Sequence, residues 1–242
     1  MHRLLAVLAA CLLAACAASA PGAREPVPAL LLGEQHDAAE HHVLQRQVVE
    51  ELADRQLLAA VVLEMAQRGR ATAGLPPSAS EAQVREALGW NEEAWPWASY
   101  GPAIMAAVRA GVPVLGANLD MPRMREAMAD ARLDALLPPQ ALRGQQQAIR
   151  AGHCDMIPEG HIGAMARVQI ARDRAMADSV ARAAVPGKTV VLLAGAGHVD
   201  PALGVPLHLG TRLRAEAVVL PPVATGKDYC ADLRRQMPRP AS

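Results

Sequence analysis

The sequence has 242 residues, with 24 basic and 24 acidic side chains and a formal net charge of zero at neutral pH. A neutral chain offers no electrostatic basis for binding nucleic acid, and its length fits a single α/β domain. Phe is absent and only three Trp and two Tyr occur, so any aromatic cluster is conspicuous.

The first fifteen residues combine a basic start, an apolar stretch and small residues, which is typical of a secretory signal peptide. The apolar stretch is too short to span a bilayer. Residues 13–16 read Leu-Ala-Ala-Cys, the form of a bacterial lipobox, and we predict lipidation at Cys16. The alternative is a plain signal peptide cleaved near Ala20. Ala17 stands where Asp would favour the inner membrane, so we expect an outer-membrane lipoprotein on the periplasmic or surface side.

Residues 16–28 are predicted to be a tether, since 21–28 are rich in Pro. The first strand follows and ends at Gly33. Asp37 stands three residues before Glu40, and this spacing predicts a capped helix that continues to about Arg55. Its inner face is expected to carry five apolar side chains, namely Val43, Leu44, Val48, Val49 and Leu52.

Three more apolar runs, at 58–63, 112–117 and 189–193, predict buried strands, and short runs near Leu207 and at 218–220 are candidates for edge strands. Helical segments lie in the long connections. One follows a capping box formed by Ser80 and Gln83, a second covers 100–110, and a third covers 121–184 with breaks at 138–139 and 152–160.

The predicted fold is therefore α/β, a mostly parallel central sheet flanked by helices, with a helical cap built from the long connections between strands. We assign the domain to residues 29–223 and a C-terminal tail to 224–242.

Polar side chains follow the strands where each one ends. Glu34 and His36 follow the first strand, Glu64 the second and His198 the fourth, with Asn118 after the third as a weaker member. Because the carboxyl ends of parallel strands share one edge of the sheet, we predict that these side chains converge. Carboxylates beside imidazoles suit a metal site or general acid–base chemistry. The structural alternatives are that His36 caps the next helix and that Glu64 sits in a buried ion pair.

The aromatic residues cluster at 95–100, where Trp97 and Tyr100 lie. They either fill a small core or form a wall for a flat apolar ligand, with the Tyr100 hydroxyl as an oxygen ligand to ferric iron. On the first helix, His41 and His42 are adjacent, and one of them is expected to face the crevice.

His153 and His161 flank a break between helices, where either imidazole could reach a ligand. Asp173 lies one turn from Gln169 and either orients a histidine of the crevice or pairs with the neighbours of Arg172 on a solvent-exposed face. Cys154 and Cys230 form either a disulfide or two buried thiols in an exported protein.

Taken in order, these motifs resemble the ChaN-type haem-binding uptake lipoproteins, whose superfamily also contains the Tiki proteases and, more distantly, the erythromycin-esterase-like hydrolases. The resemblance spans roughly residues 29–222. It rests on residues 33–37, 41–42, 45, 63–65, 97–102, 118, 169, 172–173, 176–177 and 195–198. It implies haem binding for iron uptake at the outer membrane, and a homodimer that sandwiches its cofactors.

Two functions follow. The first is haem binding, with Tyr100, Trp97, His153, His161 and His41 as candidate cofactor contacts. The second is hydrolysis, in which Glu34 activates water, His36 and His198 bind a divalent metal or polarise a carbonyl, and Glu64 orients them. A lipoprotein scaffold with a vestigial crevice is the third alternative.

Overall fold

The computed structural model describes residues 26–236, and these contain a five-stranded parallel sheet in the order β3-β2-β4-β1-β5. The strands are β1 (Ala29–Glu34), β2 (Leu58–Gln67), β3 (Val114–Asn118), β4 (Thr189–Gly195) and β5 (Ala215–Val219). β4 lies at the centre, and all seven of its residues are buried. Such a continuous apolar run is typical of a parallel strand covered on both faces.

Helices pack on both faces of the sheet. Over the described residues they are α1 (Ala39–Asp54), α2 (Glu81–Leu88), α3 (Trp97–Arg109), α4 (Met121–Ala129), α5 (Pro139–Gly152), α6 (Glu159–Ala183), α7 (Ala196–Val199), α8 (Val205–Leu209) and α9 (Tyr229–Gln236), with a 3-10 helix at Ala131–Leu136. One core lies between the sheet and α1 to α3, and the other lies between the sheet and α6 to α8. The predicted α/β architecture is confirmed.

The long connections carry the predicted helical cap. The capping box of Ser80 and Gln83 is present at the start of α2, and α5 and α6 are separated within the break expected at 152–160. None of the helices within 26–236 is both long and apolar enough to cross a membrane.

The first helix differs from its prediction. α1 begins after Ala38 without a side-chain cap, because the carboxylate of Asp37 is bound by Lys227 and Tyr229 instead. Val43 and Leu44 are exposed, and the residues of α1 that are buried are His41, Gln45 and Val49. The helix is therefore rotated so that polar side chains face the end of β1.

The end of the chain also differs. Leu207 lies in the helix α8 rather than in a strand, whereas the run at 218–220 does contribute to the edge strand β5. Residues 224–236, expected to be a tail, lie against the domain and include α9. The leader, Cys16 and the tether up to residue 25 lie outside the described residues, as do positions 237–242.

Candidate functional site

Glu34 ends β1 with its side chain buried, and three groups donate hydrogen bonds to its carboxylate. They are the Tyr100 hydroxyl at 2.6 Å, His36 Nδ1 at 2.7 Å and Gln45 Nε2 at 2.5 Å. Both carboxylate oxygens are thus satisfied, as a buried acid requires. Burial and then the negative charge of Glu34 raise the pKa of Tyr100, which therefore stays a neutral donor.

Glu64, in β2, is held by a second set of donors. Arg172 Nη2 lies 2.5 Å from its Oε1, and the Gly195 N–H donates to its Oε2 over 2.7 Å. The Arg172 guanidinium is itself oriented by the side-chain oxygens of Asn118, at 2.9 Å, and Gln169, at 3.0 Å. Asn118 therefore contributes to the site by orienting Arg172, and not by contacting a ligand itself.

His198 follows β4 and stands between two buried carboxylates. Its Nδ1 donates to Asp173 over 2.5 Å, and its Nε2 lies 3.4 Å from Glu64. Burial disfavours the imidazolium, but the charges of Glu64 and Asp173 outweigh it and raise the pKa of His198 to about 9. Burial likewise disfavours ionised Glu64, but His198 and Arg172 hold the pKa of that carboxyl well below its usual range. Asp173 orients His198, which is the first of the two roles that the sequence left open for it.

His36 connects the two carboxylate groups. Its Nδ1 is bound to Glu34, and its Nε2 lies 3.9 Å from Glu64 while its side chain is 40% exposed. Burial lowers its pKa, yet the Glu34 hydrogen bond and the charge of Glu64 outweigh this, so the pKa of His36 lies above its ordinary value. The structure thus brings together Glu34, His36, Glu64 and His198, as their places at the strand ends predicted. Their catalytic use stays a prediction.

Gly195 is required by this close packing. A Cβ at this position would lie 2.7 Å from His36 Nε2 and 3.5 Å from Glu64 Oε2. By contrast, a Cβ at Gly197 would meet nothing within 4 Å, so this position opens onto free space.

A divalent metal is not supported by the arrangement. The Nε2 atoms of His36 and His198 both face the Glu64 carboxylate, so these three side chains could in principle surround a metal ion. The Glu64 carboxylate, however, already binds the Arg172 guanidinium and the Gly195 N–H. A cation would have to compete with a fixed positive charge. Across residues 26–236, no group of three or more His, Cys, Asp or Glu side chains is arranged to hold a metal ion.

The aromatic cluster is core and not a ligand wall, which corrects the alternative that assigned Trp97 and Tyr100 to the cofactor. Trp97 is buried, and its Nε1 donates to Glu81. Tyr100 is only 1% exposed beneath Glu34. Trp90 packs edge-on against Trp97 in the same cluster.

Two of the candidate histidines also lie away from a ligand surface. His41 is buried in α1, where it accepts the Gln35 N–H over 2.9 Å and donates to the Pro221 carbonyl over 3.0 Å. Its role is to join the end of β1 to the C-terminal segment. His161 is exposed at the start of α6 and does not line the cavity.

Above the buried groups lies a cavity of about 680 Å³, within the range of small-molecule sites. Its floor consists of Glu34, Glu64, Arg172 and His198, the half-exposed ring of His36 stands above them, and one wall carries the apolar side chains of Ala148, Ile149 and Leu203. Its rim consists of Asp37, His153, Lys227 and Tyr229.

Of the histidines proposed as haem contacts, His153 is the one that lines the cavity. Its Nδ1 donates to the Ile149 carbonyl over 2.8 Å, which fixes the tautomer and leaves the lone pair on Nε2. For Nε2, no hydrogen-bond partner is found among residues 26–236. It is therefore an available nitrogen donor beside an apolar wall.

The sequence patterns did not indicate the C-terminal strap, residues 221–236. The Tyr229 hydroxyl donates to Asp37 Oδ2 over 2.9 Å, and Lys227 Nζ lies 2.9 Å from the same oxygen. Burial raises the Asp37 pKa, but the hydrogen bonds from Lys227, Tyr229 and Gln35 together outweigh it and lower the pKa to about 2. Gln35 exchanges two hydrogen bonds with the backbone of Val223. The signal that could have located the strap is Cys230.

Cys230 is joined to Cys154 by a disulfide, with a Cα–Cα distance of 5.7 Å. Of the two alternatives left by the sequence, the disulfide is therefore the one formed. It links the strap to the corner between α5 and α6, next to His153 in the cavity lining.

Comparisons with known proteins agree with this architecture. A family model described as haem-binding uptake, Tiki superfamily, ChaN matches residues 25–209. A solved structure described as cofacial heme binding to ChaN of Campylobacter jejuni aligns with a TM-score of 0.64 and 21% sequence identity over 80% of each chain. At this identity the likeness establishes the fold. A search of curated proteins found no significant match, and none of these comparisons supports the hydrolase alternative.

Proposed function

The chain belongs to the ChaN family of haem-binding uptake proteins in the Tiki superfamily, and we propose that it binds haem in the cavity above Glu34 and Glu64. The observation that carries the proposal is His153 Nε2, which has no hydrogen-bond partner in the part of the chain that the structure describes and lies beside the apolar wall of Ala148 and Ile149. A flat, largely apolar ligand with one metal centre needs this combination of surface and donor.

The residues of the cavity fit haem in three respects. The wall is apolar, Gly197 leaves open space above the floor, and Lys227, which pairs with Asp37 but is half exposed, places an ammonium at the rim where a haem carboxylate can also bind. When bound, haem supplies an iron centre that accepts an axial donor. We assign His153 as that donor, and its Nδ1 bond to the Ile149 carbonyl holds the ring in the required tautomer.

The buried floor has a supporting role. Its carboxylates are saturated by Arg172, Gln45, Tyr100 and the histidines, so it offers a rigid polar base rather than an iron ligand. His36 is partly exposed above this base, its Nδ1 is held by Glu34, and the Glu34 hydrogen bond and the charge of Glu64 raise its pKa above the ordinary value despite its burial.

The experiment is a titration of the full chain with ferric haem, followed by the Soret band. The wild type should show a saturable shift at micromolar haem, one equivalent per chain. His153→Ala should weaken binding at least tenfold and move the Soret maximum. His161→Ala is the matched control, because His161 is a neighbouring exposed histidine outside the cavity. A wild type without any Soret shift would contradict the proposal.

We further propose that the protein is an outer-membrane lipoprotein that serves iron acquisition. The support is the Leu-Ala-Ala-Cys run ending at Cys16 after a signal-like leader, together with the uptake role named for the family. Cys16→Ser should release the protein from the membrane fraction and lower its N-terminal mass by the lipid. Retention in the membrane fraction with an unchanged mass would contradict the anchor.

A homodimer is also proposed, since the similar ChaN structure from Campylobacter jejuni is described as binding heme cofacially. We expect ferric haem to shift this protein from monomer to dimer in sedimentation analysis. The His153→Ala variant should remain monomeric at the same haem concentration. A wild type that stays monomeric when saturated with haem would contradict the dimer.

A further inference from the structure

The disulfide joins the two segments that carry the rim donors. Cys154 directly follows His153, and Cys230 directly follows Tyr229. Both His153 and Tyr229 line the cavity. The disulfide therefore limits the distance between the His153 imidazole and the Tyr229 phenol, which both line the cavity.

The other contacts of the strap attach it to the residues that follow β1. Gln35 binds Val223, and Asp37 binds Lys227 and Tyr229. Lys227 and Tyr229 are both about half exposed, so water competes for their bonds to Asp37. Within residues 26–236, no hydrogen bond or ion pair joins the strap to α5 or to the corner after it.

The corner that carries His153 is itself conformationally constrained. Cys154 and Asp155 both have φ near +55°, in the left-handed region that non-glycine residues rarely adopt. Backbone N–H groups of these residues bond the last carbonyls of α5, as in a helix C-cap. Cutting the disulfide would leave these bonds, together with the Arg150–Glu159 ion pair that spans the corner, as its restraints.

We propose that the Cys154–Cys230 disulfide is a positioning element that holds Tyr229 in place relative to His153, and that its reduction opens the cavity mouth and loosens the hold on haem. The haem part rests on the function proposed above. A dithiol donor can supply the two electrons that this reduction needs. One of its thiolates attacks one sulfur of the bond to form a mixed disulfide. Its second thiolate then displaces the protein thiol, leaving Cys154 and Cys230 as two thiols and the donor as a disulfide.

The test has two readouts on the full chain. The first is hydrogen–deuterium exchange of the haem-free protein, which does not depend on haem binding. Exchange within 221–236 should become at least fivefold faster in the Cys154→Ala/Cys230→Ala variant, and in wild type reduced with a phosphine, while β4 keeps its protection. Unchanged exchange in the strap would overturn the proposal.

The second readout is haem loss to an excess of an acceptor protein, followed in the Soret band. The double variant should lose haem at least fivefold faster than oxidised wild type, with a shifted Soret maximum. The phosphine should affect wild type but not the double variant, which controls for direct effects on iron. Faster strap exchange with unchanged haem loss and spectrum would overturn the positioning role. A wild type that binds no haem would instead overturn the proposed function, while the exchange result would still decide whether the disulfide holds the strap.

Discussion

The floor and the rim of the cavity contain the same kinds of side chain in opposite states. On the floor, Glu64 and His198 are buried and each makes at least two bonds to charged or polar partners. On the rim, the carboxylate of Asp37 meets the half-exposed Lys227, and His153 keeps one nitrogen without a partner in the described residues. Buried groups whose hydrogen bonds are all made within the protein stabilise the fold. Exposed groups, and a nitrogen without a partner in the described residues such as that of His153, can bind a ligand. The difference therefore assigns stability to the floor and recognition to the rim.

The largest expected effect comes from breaking the floor. Glu64→Ala leaves Arg172 and protonated His198 buried without their carboxylate, so it should lower the free energy of unfolding by about 3–5 kcal/mol. The matched rim variant is Asp37→Ala. Because the Lys227 partner of Asp37 is exposed, this variant should lower the free energy of unfolding by at most about 1 kcal/mol. Urea denaturation of both haem-free variants measures the contrast. Equal losses would remove the distinction between the two regions.

Tyr100 and Tyr229 allow a second comparison of the floor with the rim. Tyr100→Phe removes a buried donor from Glu34 and should destabilise the protein by about 1–3 kcal/mol while the Soret maximum of bound haem stays unchanged. Tyr229→Phe, at the rim, should change stability by less than about 0.5 kcal/mol and speed haem loss. Thermal unfolding and the haem-loss assay distinguish them. A spectral change on Tyr100→Phe alone would reverse the assignment.

The pH dependence of stability should come from the floor. In the folded protein His198 keeps its proton up to a pKa of about 9, whereas in the unfolded chain it titrates near 6.5. The folded state thus binds the extra proton between these values. This contribution is fully present below pH 6.5 and is lost as the pH rises through about 9.

Urea titrations between about pH 6 and pH 10 measure this effect. The free energy of unfolding should fall over this window in the wild type, and the fall should be shallower in His198→Ala. A wild type whose stability stays constant across the whole window would contradict the buried imidazolium.

The floor could be predicted from the sequence because it is built from strand ends. β1, β2 and β4 are continuous apolar runs, and a parallel sheet brings their carboxyl ends to one edge. Helical spacing also indicated that Asp173 could orient a histidine, and the structure gives it His198. Local patterns therefore carry information about groups fixed by regular structure.

The rim could not be predicted in the same way. Asp37 and Tyr229 lie 192 residues apart, and no local pattern joins them. The capping box assigned to Asp37 is absent because Lys227 and Tyr229 compete for its carboxylate. The aromatic cluster was ambiguous for a different reason. Burial of Tyr100 depends on how α3 packs beneath Glu34, and composition alone does not determine this.

Electron paramagnetic resonance of the ferric haem complex tests the assignment of recognition to the rim most directly, because the signal reports the axial donor of the iron. We predict that the signal changes in His153→Ala and is the same as wild type in Tyr100→Phe. A signal that is unchanged in His153→Ala but altered in Tyr100→Phe would contradict this assignment, and would place the iron donor in the buried floor.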